Sequence, residues 1–370
     1  MISADRAGAT LTIDLDAIAA NYRLLQSFAA PAECAAVVKC DAYGLGISPI
    51  ARRIAAEGCR TFFVALPDEA LELRDVLAEL EDPIRIYILN GLSEGVAEIC
   101  DQTIAPVLNS YKEIEAWSSH CANTGQGHPA IVNFDTGISR LGLDKADTLQ
   151  FMNDPGRFKS LTISYVMSHL ACADEPDHSL NARQLETLKS ILNALPTAPR
   201  ISLANSAGIF LGKDFHFDLV RPGAALYGIG CHEDDRRKLK QVVKLKGKIL
   251  QTRLIDRNMT VGYGAAGSVT RESRLATVAL GYGDGFFRRL GNKGAGFLSG
   301  HRAPVVGRVS MDLVTLDVTD IPETLCGPGQ TVEFIGDHQT PDDLAEIAGT
   351  IGYEVLTALG GRYRRDYIGD

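Results

Sequence analysis

The feature that most constrains the fold is a regular alternation of short apolar runs with amphipathic stretches between about residues 10 and 230. Strands that alternate with helices usually pair in parallel, and eight such units close naturally into a barrel. We therefore predict an eight-stranded α/β barrel, with an open, doubly wound sheet as the alternative. The predicted strands are Ala35–Lys39, Thr61–Leu66, Ile84–Leu89, Thr103–Leu108, Ala130–Asp135, Leu161–Ser168, Ile201–Asn205 and Leu219–Arg221. The helical stretches between them include Pro49–Glu57, Glu69–Leu80, Tyr111–Cys121 and Ser179–Leu195.

After about residue 240 the pattern changes to strand-like runs separated by Gly-rich turns. These runs are Lys244–Arg257, Ser273–Leu280, Ala303–Val309, Leu313–Val318 and Thr331–Ile335. We predict one clear helix there, Pro341–Thr350, because Thr340 is a favoured N-cap and proline is favoured at the first helical position.

The length of 370 residues exceeds what one hydrophobic core usually fills, so we predict two domains. The first is the barrel, over residues 10–238. The second is a mostly β domain over residues 239–370 together with an N-terminal strand in 1–9, and the early strand Thr10–Leu15 is a candidate to pair with it.

Composition excludes several classes of function. The net charge is −9 and the 37 Lys and Arg residues are scattered, which argues against a nucleic-acid partner. No run of 18 apolar residues occurs, and the N-terminus lacks the apolar region of a signal peptide. The eight cysteines never form C-x-x-C, which is typical of reduced thiols. We therefore expect a cytoplasmic protein that does not span a membrane.

A lysine stands at the end of the first predicted barrel strand, in the segment VVKCDAYGLG (37–46). The carboxyl ends of barrel strands hold the active site, so Lys39 is expected at the mouth. Desolvation lowers the pKa of a lysine and exposes a neutral amine that can form a Schiff base. On Lys39 alone, a lysine that points into solvent remains an alternative.

This segment resembles the cofactor-lysine signature of alanine racemases, a pyridoxal-5′-phosphate (PLP) family with an N-terminal barrel and a C-terminal β domain. The resemblance continues in order through FDTGISRLG, SHLACAD, LANSAG, RPGAALYG, VGYG, GYGDGFFRR, VGRVSMD and YEVLT. Ordered matches along nearly the whole chain are far more specific than any single one. Neither Y-G-L-G nor G-Y-G-D-G has the full G-x-G-x-x-G spacing of a dinucleotide loop.

The resemblance implies a two-base racemisation. Lys39 would carry PLP and remove the α-hydrogen of the D-enantiomer, while Tyr263 would act on the opposite face. A tyrosine, whose reference pKa is about 10, is a poor base at neutral pH unless positive charge stabilises its phenolate. The matching helper is His169, which the family bonds to Arg221.

Arg221 also matches the arginine that faces the pyridine nitrogen of PLP in this family. Arginine stays protonated and does not readily give up a proton. The ring nitrogen would therefore stay unprotonated, which favours proton return over side reactions. The resemblance thus argues for a racemase and against a decarboxylase of the same fold type.

The remaining site residues are also implied by resemblance. The phosphate of PLP would be held by Tyr43, Ser206, the backbone amides of Gly223 and Ala224, and Tyr353. The substrate carboxylate would be held by Arg140, with the amide of Met311 as a second donor. The entrance would be formed by Tyr282, Arg288, Arg308 and Asp312. Tyr263 would reach the site of the opposite subunit, which implies a homodimer with shared active sites.

One departure from the family pattern concerns Asn133. Many relatives have a carbamylated lysine there that positions the substrate-binding arginine. Asparagine cannot be carbamylated, so we predict that a chloride ion near Asn133 and Arg140 replaces the missing negative charge.

The function predicted from the sequence is interconversion of L- and D-alanine, with D-alanine supplied for peptidoglycan. A racemase of broader range, or one that prefers serine, is the first alternative. A PLP-binding homeostasis protein without turnover is the second, although such proteins are shorter single barrels. A metal-dependent hydrolase lacks the expected H-x-H or H-E-x-x-H cluster, so we predict no metal.

Overall fold

A computed structural model describes residues 3, 6–154, 156–157, 161–197, 199–230 and 238–369. Residues 1, 2, 4 and 5 of the predicted N-terminal strand 1–9 lie outside the described residues. The chain divides into two compact units. The barrel unit comprises Ile18–Ala42 and Gly46–Lys240, and the β unit comprises Met1–Ala17, Tyr43–Leu45 and Gln241–Asp370.

The strands in chain order are β1 (Ala9–Asp14), β2 (Glu33–Cys34), β3 (Ala36–Val37), β4 (Thr61–Val64), β5 (Arg85–Ile88), β6 (Ile104–Leu108), β7 (Pro129–Asn133), β8 (Thr162–Met167), β9 (Ile201–Asn205), β10 (Leu219–Arg221), β11 (Val243–Ile255), β12 (Thr260–Val261), β13 (Gly267–Ser268), β14 (Ser273–Val278), β15 (Ala295–Leu298), β16 (His301–Pro304), β17 (Val314–Asp317), β18 (Thr331–Ile335) and β19 (Arg364–Ile368).

The α-helices are α1 (Leu15–Ala29), α2 (Lys39–Gly44), α3 (Ile47–Ala56), α4 (Pro67–Val76), α5 (Val96–Ile99), α6 (Tyr111–Thr124), α7 (Lys145–Met152), α8 (Ser179–Ala194), α9 (Ser206–Phe210), α10 (Pro341–Ala348) and α11 (Gly352–Ala358). Short 3₁₀ turns are Lys213–Phe215, Ala224–Tyr227, Tyr263–Ala265, Tyr282–Asp284, Arg288–Leu290 and Glu323–Leu325.

The barrel unit contains a parallel sheet in the order β2-β10-β9-β8-β7-β6-β5-β4-β3. Its two end strands, β2 and β3, are separated only by Ala35, whose amide donates to the Val220 carbonyl at 3.0 Å. The sheet therefore closes on one short stretch of chain. The predicted α/β barrel is confirmed. It has nine strand elements rather than eight because β2, which lies just before the first predicted strand Ala35–Lys39, forms a separate element from β3.

The barrel strands are buried because helices cover their outer surface. All four residues of β4 and all five of β6 are buried. Such strands appear in a sequence as continuous apolar runs, whereas a sheet with one wet face alternates. This burial explains why the barrel strands were visible in the sequence.

The β unit is organised around the long strand β11. It pairs antiparallel with β1, β14 and β18, and β1 also pairs in parallel with β19. The predicted mostly β character is confirmed. The expectation of one helix is wrong, because α11 follows α10. The N-cap residue of α11 is Ile351, so the sequence has no polar cap that would predict this helix. The buried side chains of Val355 and Leu356 hold it in place.

Candidate active site

The predicted chemical residues of the barrel unit follow the carboxyl ends of its strands. Lys39 follows β3, Arg140 follows β7 and His169 follows β8, while Ser206 follows β9 and Arg221 ends β10. Carboxyl ends of parallel barrel strands meet at one rim, where barrel enzymes place their chemistry. The structure therefore brings these five residues to the same end of the barrel.

Lys39 is followed by an unusual backbone segment. The four residues Cys40 to Tyr43 have φ between 51° and 59°. These are left-handed values, which cost a non-glycine residue roughly 1–2 kcal/mol each. Two bonds that support the turn are the Ala42 amide to the Val38 carbonyl at 2.9 Å and the Ile47 amide to Asp41 Oδ1 at 2.7 Å. A strained turn that must be held by such contacts marks this segment as functional.

The environment of the Lys39 side chain favours its neutral form. Burial lowers the pKa of Lys39, and the positive charge of Arg140 lowers it further. The negative charge of Glu69 and the neighbouring Cys40 side chain act in the opposite direction. The net effect on the Lys39 pKa is downward, so a larger fraction of the amine is neutral and able to act as a nucleophile or base.

Arg221 is a buried cation held by neutral groups. Its side chain donates to Ser202 Oγ at 2.5 Å, to the Ser168 carbonyl at 2.7 Å and to the Leu203 carbonyl at 3.3 Å. Burial lowers the pKa of Arg221 to about 9, so it stays charged at neutral pH. Among the described residues no carboxylate forms an ion pair with it. Its position is fixed by this fork of hydrogen bonds.

His169 is held neutral beside that cation. Burial lowers the pKa of His169 to about 3, and the charges of Arg221, Arg140 and Lys39 add to the effect. An Arg221 nitrogen lies 3.3 Å from His169 Nδ1. Because arginine only donates, Nδ1 is the acceptor and the ring proton is on Nε2. In this tautomer the Nε2 of His169 carries the hydrogen and can donate it. The arrangement includes the His169–Arg221 contact that the resemblance implied.

Ser206 organises the loop after β10. Its Oγ accepts the amide of Gly223 at 2.9 Å and that of Ala225 at 3.2 Å. A hydroxyl that accepts in this way keeps its own hydrogen to donate. The Gly223 amide, which was predicted to face a phosphate, is thus already engaged by Ser206. Ala224 begins the 3₁₀ turn, where backbone amides lack partners within the helix.

A buried network behind His169 was not foreseen in the sequence. Gln184, on α8, donates to the His169 carbonyl at 2.8 Å and to Thr136 Oγ1 at 3.2 Å. Its Oε1 accepts the amide of Ala171 at 2.9 Å. Gln184 therefore fixes the segment that carries His169. A polar residue among the buried positions of an amphipathic helix is the signal that sequence reasoning passed over.

Arg140 lies on an ordered but exposed loop. Asp135 Oδ1 accepts the amides of three following residues, Gly137, Ile138 and Ser139, at 2.8 to 3.1 Å. This Asx-type turn sets the direction in which the chain leaves β7. The side chain of Arg140 is exposed.

Asn133 is buried at the end of β7 and its orientation is fixed. Its Nδ2 donates to Asn109 Oδ1 at 2.8 Å, and the side-chain Nδ2 of Asn109 donates to the carbonyls of Leu89 and Val107. Asn109 can only be the acceptor from Asn133 in this arrangement. The Asn133 Oδ1 is buried and has no partner among the described residues.

Two predicted phosphate ligands lie together in the β unit. The rings of Tyr43 and Tyr353 have centroids 6.1 Å apart and are tilted by 42°. Tyr43 is buried, while Tyr353 is 37% exposed. The pair is a contact between residues far apart in the chain, which cannot be predicted from a single sequence.

Met311 packs against the G-Y-G-D-G segment. Its carbonyl accepts the Gly283 amide at 2.9 Å, and the preceding Ser310 carbonyl accepts the Tyr282 amide at 3.0 Å. A Cβ at Gly281 would overlap the Met311 carbonyl, so this glycine is needed for close backbone approach. The segment is therefore a packing motif that places Tyr282 beside Met311.

Other predicted entrance residues are also in the β unit. Asp312 pairs with Arg362 at 2.7 Å, and the same arginine reaches the buried Asp284 at 2.8 Å. Arg308 lies close to Gly264, next to Tyr263. The entrance residue Arg288 is exposed in a 3₁₀ turn.

Tyr263 stands at the start of a 3₁₀ turn between β12 and β13. Its side chain is 73% exposed, which is unusual for a tyrosine.

Within the described part of the chain, no helix is long and apolar enough to cross a membrane. The same residues include no cluster of three or more His, Cys, Asp or Glu side chains suited to a metal.

Comparison with known proteins gives the same assignment for both units. The N-terminal domain of alanine racemases matches residues 13–230, and their C-terminal domain matches residues 242–367. The alanine racemase of Rhodospirillum rubrum is 47% identical over 99% of this chain and 97% of its own length. The catabolic alanine racemase of Agrobacterium fabrum is 45% identical over 99% of this chain and 94% of its own.

A solved structure extends the similarity to three dimensions. The crystal structure of alanine racemase from Bartonella henselae with covalently bound pyridoxal phosphate has a TM-score of 0.93 and 45% identity. The match covers 98% of this chain and 100% of that chain. With both domain models matched and nearly the full length shared, this chain belongs to the alanine racemase family.

Proposed function

We propose that this chain interconverts L- and D-alanine with PLP attached to Lys39. The observation that carries the proposal is that one rim of the barrel holds both a lysine whose pKa is lowered and a buried arginine that, among the described residues, forms no ion pair with a carboxylate. The names of the relatives support alanine as the substrate. The covalent cofactor of the Bartonella enzyme supports PLP.

The residues of the barrel unit fit PLP. A partly neutral lysine amine can bond to an aldehyde carbon. The Ser206 hydroxyl and the Ala224 amide are donors suited to a phosphate. We also assign Tyr43, Tyr353 and, through its bond to Ser206, Gly223 to the binding site of the PLP phosphate. When bound, PLP supplies an electron sink for the charge left on the substrate carbon.

Arg221 would decide the type of reaction. A guanidinium that is already bonded to Ser202 and Ser168 stays protonated, so Arg221 could donate a hydrogen bond to the ring nitrogen of PLP without transferring its proton. Bound PLP with such a neighbour would supply a weaker electron sink than a ring protonated by a carboxylate. Rapid return of a proton gives racemisation, whereas a carboxylate at this position would favour other reactions.

We assign the two protons to two bases. Lys39 would move the α-hydrogen of D-alanine and Tyr263 that of L-alanine, with His169 and Arg221 as support. Arg140 and the Met311 amide would hold the substrate carboxylate, because a guanidinium binds a carboxylate in bidentate fashion. Tyr282, Arg288, Arg308 and Asp312 would line the entrance. The exposure of Tyr263 fits a residue that a second copy of the chain covers, and we propose a homodimer with shared sites.

Reduction with borohydride followed by peptide mapping tests the cofactor position. We expect the pyridoxyl group on Lys39, and label on another lysine would contradict the proposal.

Tyr263→Phe should keep the cofactor yet nearly abolish exchange of the α-hydrogen of L-alanine. Tyr165→Phe removes a hydroxyl near the opposite end of the barrel and serves as the matched control. Wild-type exchange in Tyr263→Phe would show that the second base lies elsewhere.

We also propose a chloride ion beside Asn133 and Arg140. One Asn133 Nδ2 hydrogen goes to Asn109, which leaves the second as a donor for an anion. Replacing chloride by a large, weakly coordinating anion at constant ionic strength should raise the KM for alanine more than it lowers kcat. Asn133→Lys should reduce this dependence. Equal kinetics in both salts for the wild type would remove the ion from the site.

For the cell, we propose a cytoplasmic enzyme that supplies D-alanine for peptidoglycan. A racemase of broader range or one that prefers serine is distinguished by comparing kcat/KM for alanine and serine. Alanine should be preferred. Growth of a deletion strain only with added D-alanine would support the biosynthetic role, and growth without it would favour a catabolic one.

A further inference from the structure

We propose that Glu69 is a positioning residue for Lys39, and that its carboxylate ties the strained turn behind the lysine to the loop after β4. The inference rests on the proposed role of Lys39. Glu69 Oε1 accepts the amide of Cys40, the residue directly after Lys39, at 2.5 Å. Glu69 Oε2 accepts the amides of Ala65 at 2.7 Å and Leu66 at 3.0 Å.

Three backbone donors converge on the two oxygens of this side chain. The contacts to Ala65 and Leu66 belong to the start of α4, where an N3 glutamate commonly caps its own helix. The contact to Cys40 does not belong to that cap, because it reaches a residue 29 positions earlier in the chain. Glu69 therefore joins the βα unit that carries Lys39 to the next one around the barrel.

A carboxylate is required for this task because both of its ends accept. In glutamine one end would be an amide nitrogen, which donates. If the glutamine oxygen served Ala65 and Leu66, its nitrogen would face the Cys40 amide, and two donors would oppose each other. Replacement by glutamine therefore conserves shape but breaks the bond to the lysine turn.

The turn needs an external contact because its backbone is held away from favourable values. Cys40 has φ 54°, and Asp41 and Ala42 have φ 52° and 51°. The bonds from Ala42 to Val38 and from Ile47 to Asp41 are local to this segment. The bond to Glu69 differs, since it anchors the turn at the point where the Lys39 side chain leaves the backbone.

The charge of Glu69 acts on the same lysine. Burial and the positive charge of Arg140 lower the pKa of Lys39, whereas the negative charge of Glu69 and the Cys40 side chain raise it. The neutral His169 also faces this group from the end of β8. Loss of the Glu69 charge would therefore lower the Lys39 pKa further.

Glu69→Gln is the principal test, and Glu72→Gln, an exposed glutamate on the same helix, is its matched control. In holoenzyme, Glu69→Gln should lower kcat in both directions by about 10- to 100-fold with little change in KM, because a misplaced reacting group affects the chemical step. In the cofactor-free full-length chain, a brief pulse of acetic anhydride near neutral pH should label Lys39 faster in Glu69→Gln than in wild type.

Glu69→Asp separates the tether from the charge. Aspartate keeps the charge but is one methylene shorter, so it cannot reach both sets of amides. We expect lowered kcat with labelling of Lys39 near that of the wild type. If Glu69→Gln does not fold, this variant carries the test: lowered kcat at constant KM supports the proposal, and unchanged kcat overturns it.

Two results would overturn the role of Glu69. One is that Glu69→Gln matches Glu72→Gln in kcat and in Lys39 labelling. The other is a loss of melting temperature with wild-type kcat per bound cofactor, which indicates a purely structural role. If borohydride instead labels a different lysine in the wild type, the proposed function fails, and that result is distinct from both.

Discussion

At the amino ends of the barrel strands, Glu33 pairs with Arg85 at 2.7 Å and with Arg200 at 3.2 Å. At the carboxyl ends, Arg221 is buried and bonded to hydroxyl and carbonyl oxygens instead. The barrel sheet thus carries paired charges at one end and, within the described part of the chain, a cation without an ion-pair partner at the other. Ion pairs stabilise modestly, while a fixed buried cation can act on a ligand. The difference separates a region built for stability from one built for chemistry.

The Glu33 region adds two neutral contacts to its ion pairs. Thr61 donates to Glu33 Oε1 at 2.5 Å, and the Tyr165 hydroxyl lies 3.0 Å from Oε2. Burial alone would raise the pKa of Glu33, but these hydrogen bonds and the charges of Arg85 and Arg200 outweigh it and lower the pKa. The carboxylate therefore remains ionised and fully paired.

The largest expected effect is at Arg221. Arg221→Glu should lower the kcat of racemisation by at least about 100-fold and change the visible absorption of the bound cofactor, since a preorganised charge is inverted. Arg221→Lys keeps the charge but loses the planar fork, so its loss should be smaller. Steady-state kinetics and absorption spectra measure both. Wild-type kcat and spectrum in Arg221→Glu would show that this residue does not face the cofactor.

At the opposite end, Glu33→Gln should act on stability and leave kcat unchanged. We expect a loss of about 1–2 kcal/mol in the free energy of unfolding, because two half-exposed ion pairs and their hydrogen bonds are weakened. Urea unfolding measures it. A double-mutant cycle with Arg200→Gln isolates one pair. A fall in kcat without a loss of stability would contradict the division between the two ends.

We also expect the contribution of Glu33 to the free energy of unfolding to depend on pH. Because folding lowers the pKa of Glu33, its stabilisation is present above the pKa of an unfolded glutamate and is lost as pH falls through the folded pKa. Acid unfolding of Glu33→Gln should therefore show a smaller stability loss over that range.

The smallest effect concerns His169. With its pKa lowered to about 3 by burial and nearby cations, its ring should not titrate between pH 5 and 8. An unfolded histidine binds a proton below about pH 6.5, so the His169 contribution to stability should fall as pH drops from there towards 3. NMR of the ring, assigned by comparison with His169→Gln, measures this. An inflection near pH 6.5 would show that Arg221 does not hold the ring neutral.

Sequence reasoning succeeded for strands that are buried on both faces. All eight predicted barrel strands overlap observed ones. Continuous apolar runs in the sequence correspond to fully buried strands in the structure, as in β4 and β6. It failed for α11, which has no polar cap, and it did not identify β15 or β19. Lys39 was singled out by its place at the end of a predicted strand, whereas Arg221 was singled out by the resemblance to alanine racemases.

The partners of those residues were not identified, because hydrogen bonds join distant positions. Arg221 and Ser202 are 19 residues apart, and Gln184 and Thr136 are 48 apart. A single sequence contains no record of such pairings. The Glu69 bond to Cys40 has the same character, since the helix-start position of Glu69 explains only its local contacts.

The closure of the barrel on one short stretch of chain has a consequence for how the protein folds. β2 pairs with β10 through Glu33–Leu219 and Cys34–Val220. This pairing can form only after nearly the whole barrel unit has been synthesised. Contacts between such distant positions form slowly, because the loop entropy is lost before the contact is gained. We expect ribosome-bound fragments that end before Leu219 to expose the edges of β2 and to need chaperone protection. Lys39, only a few residues beyond that edge, would acquire its final surroundings among the last events of folding.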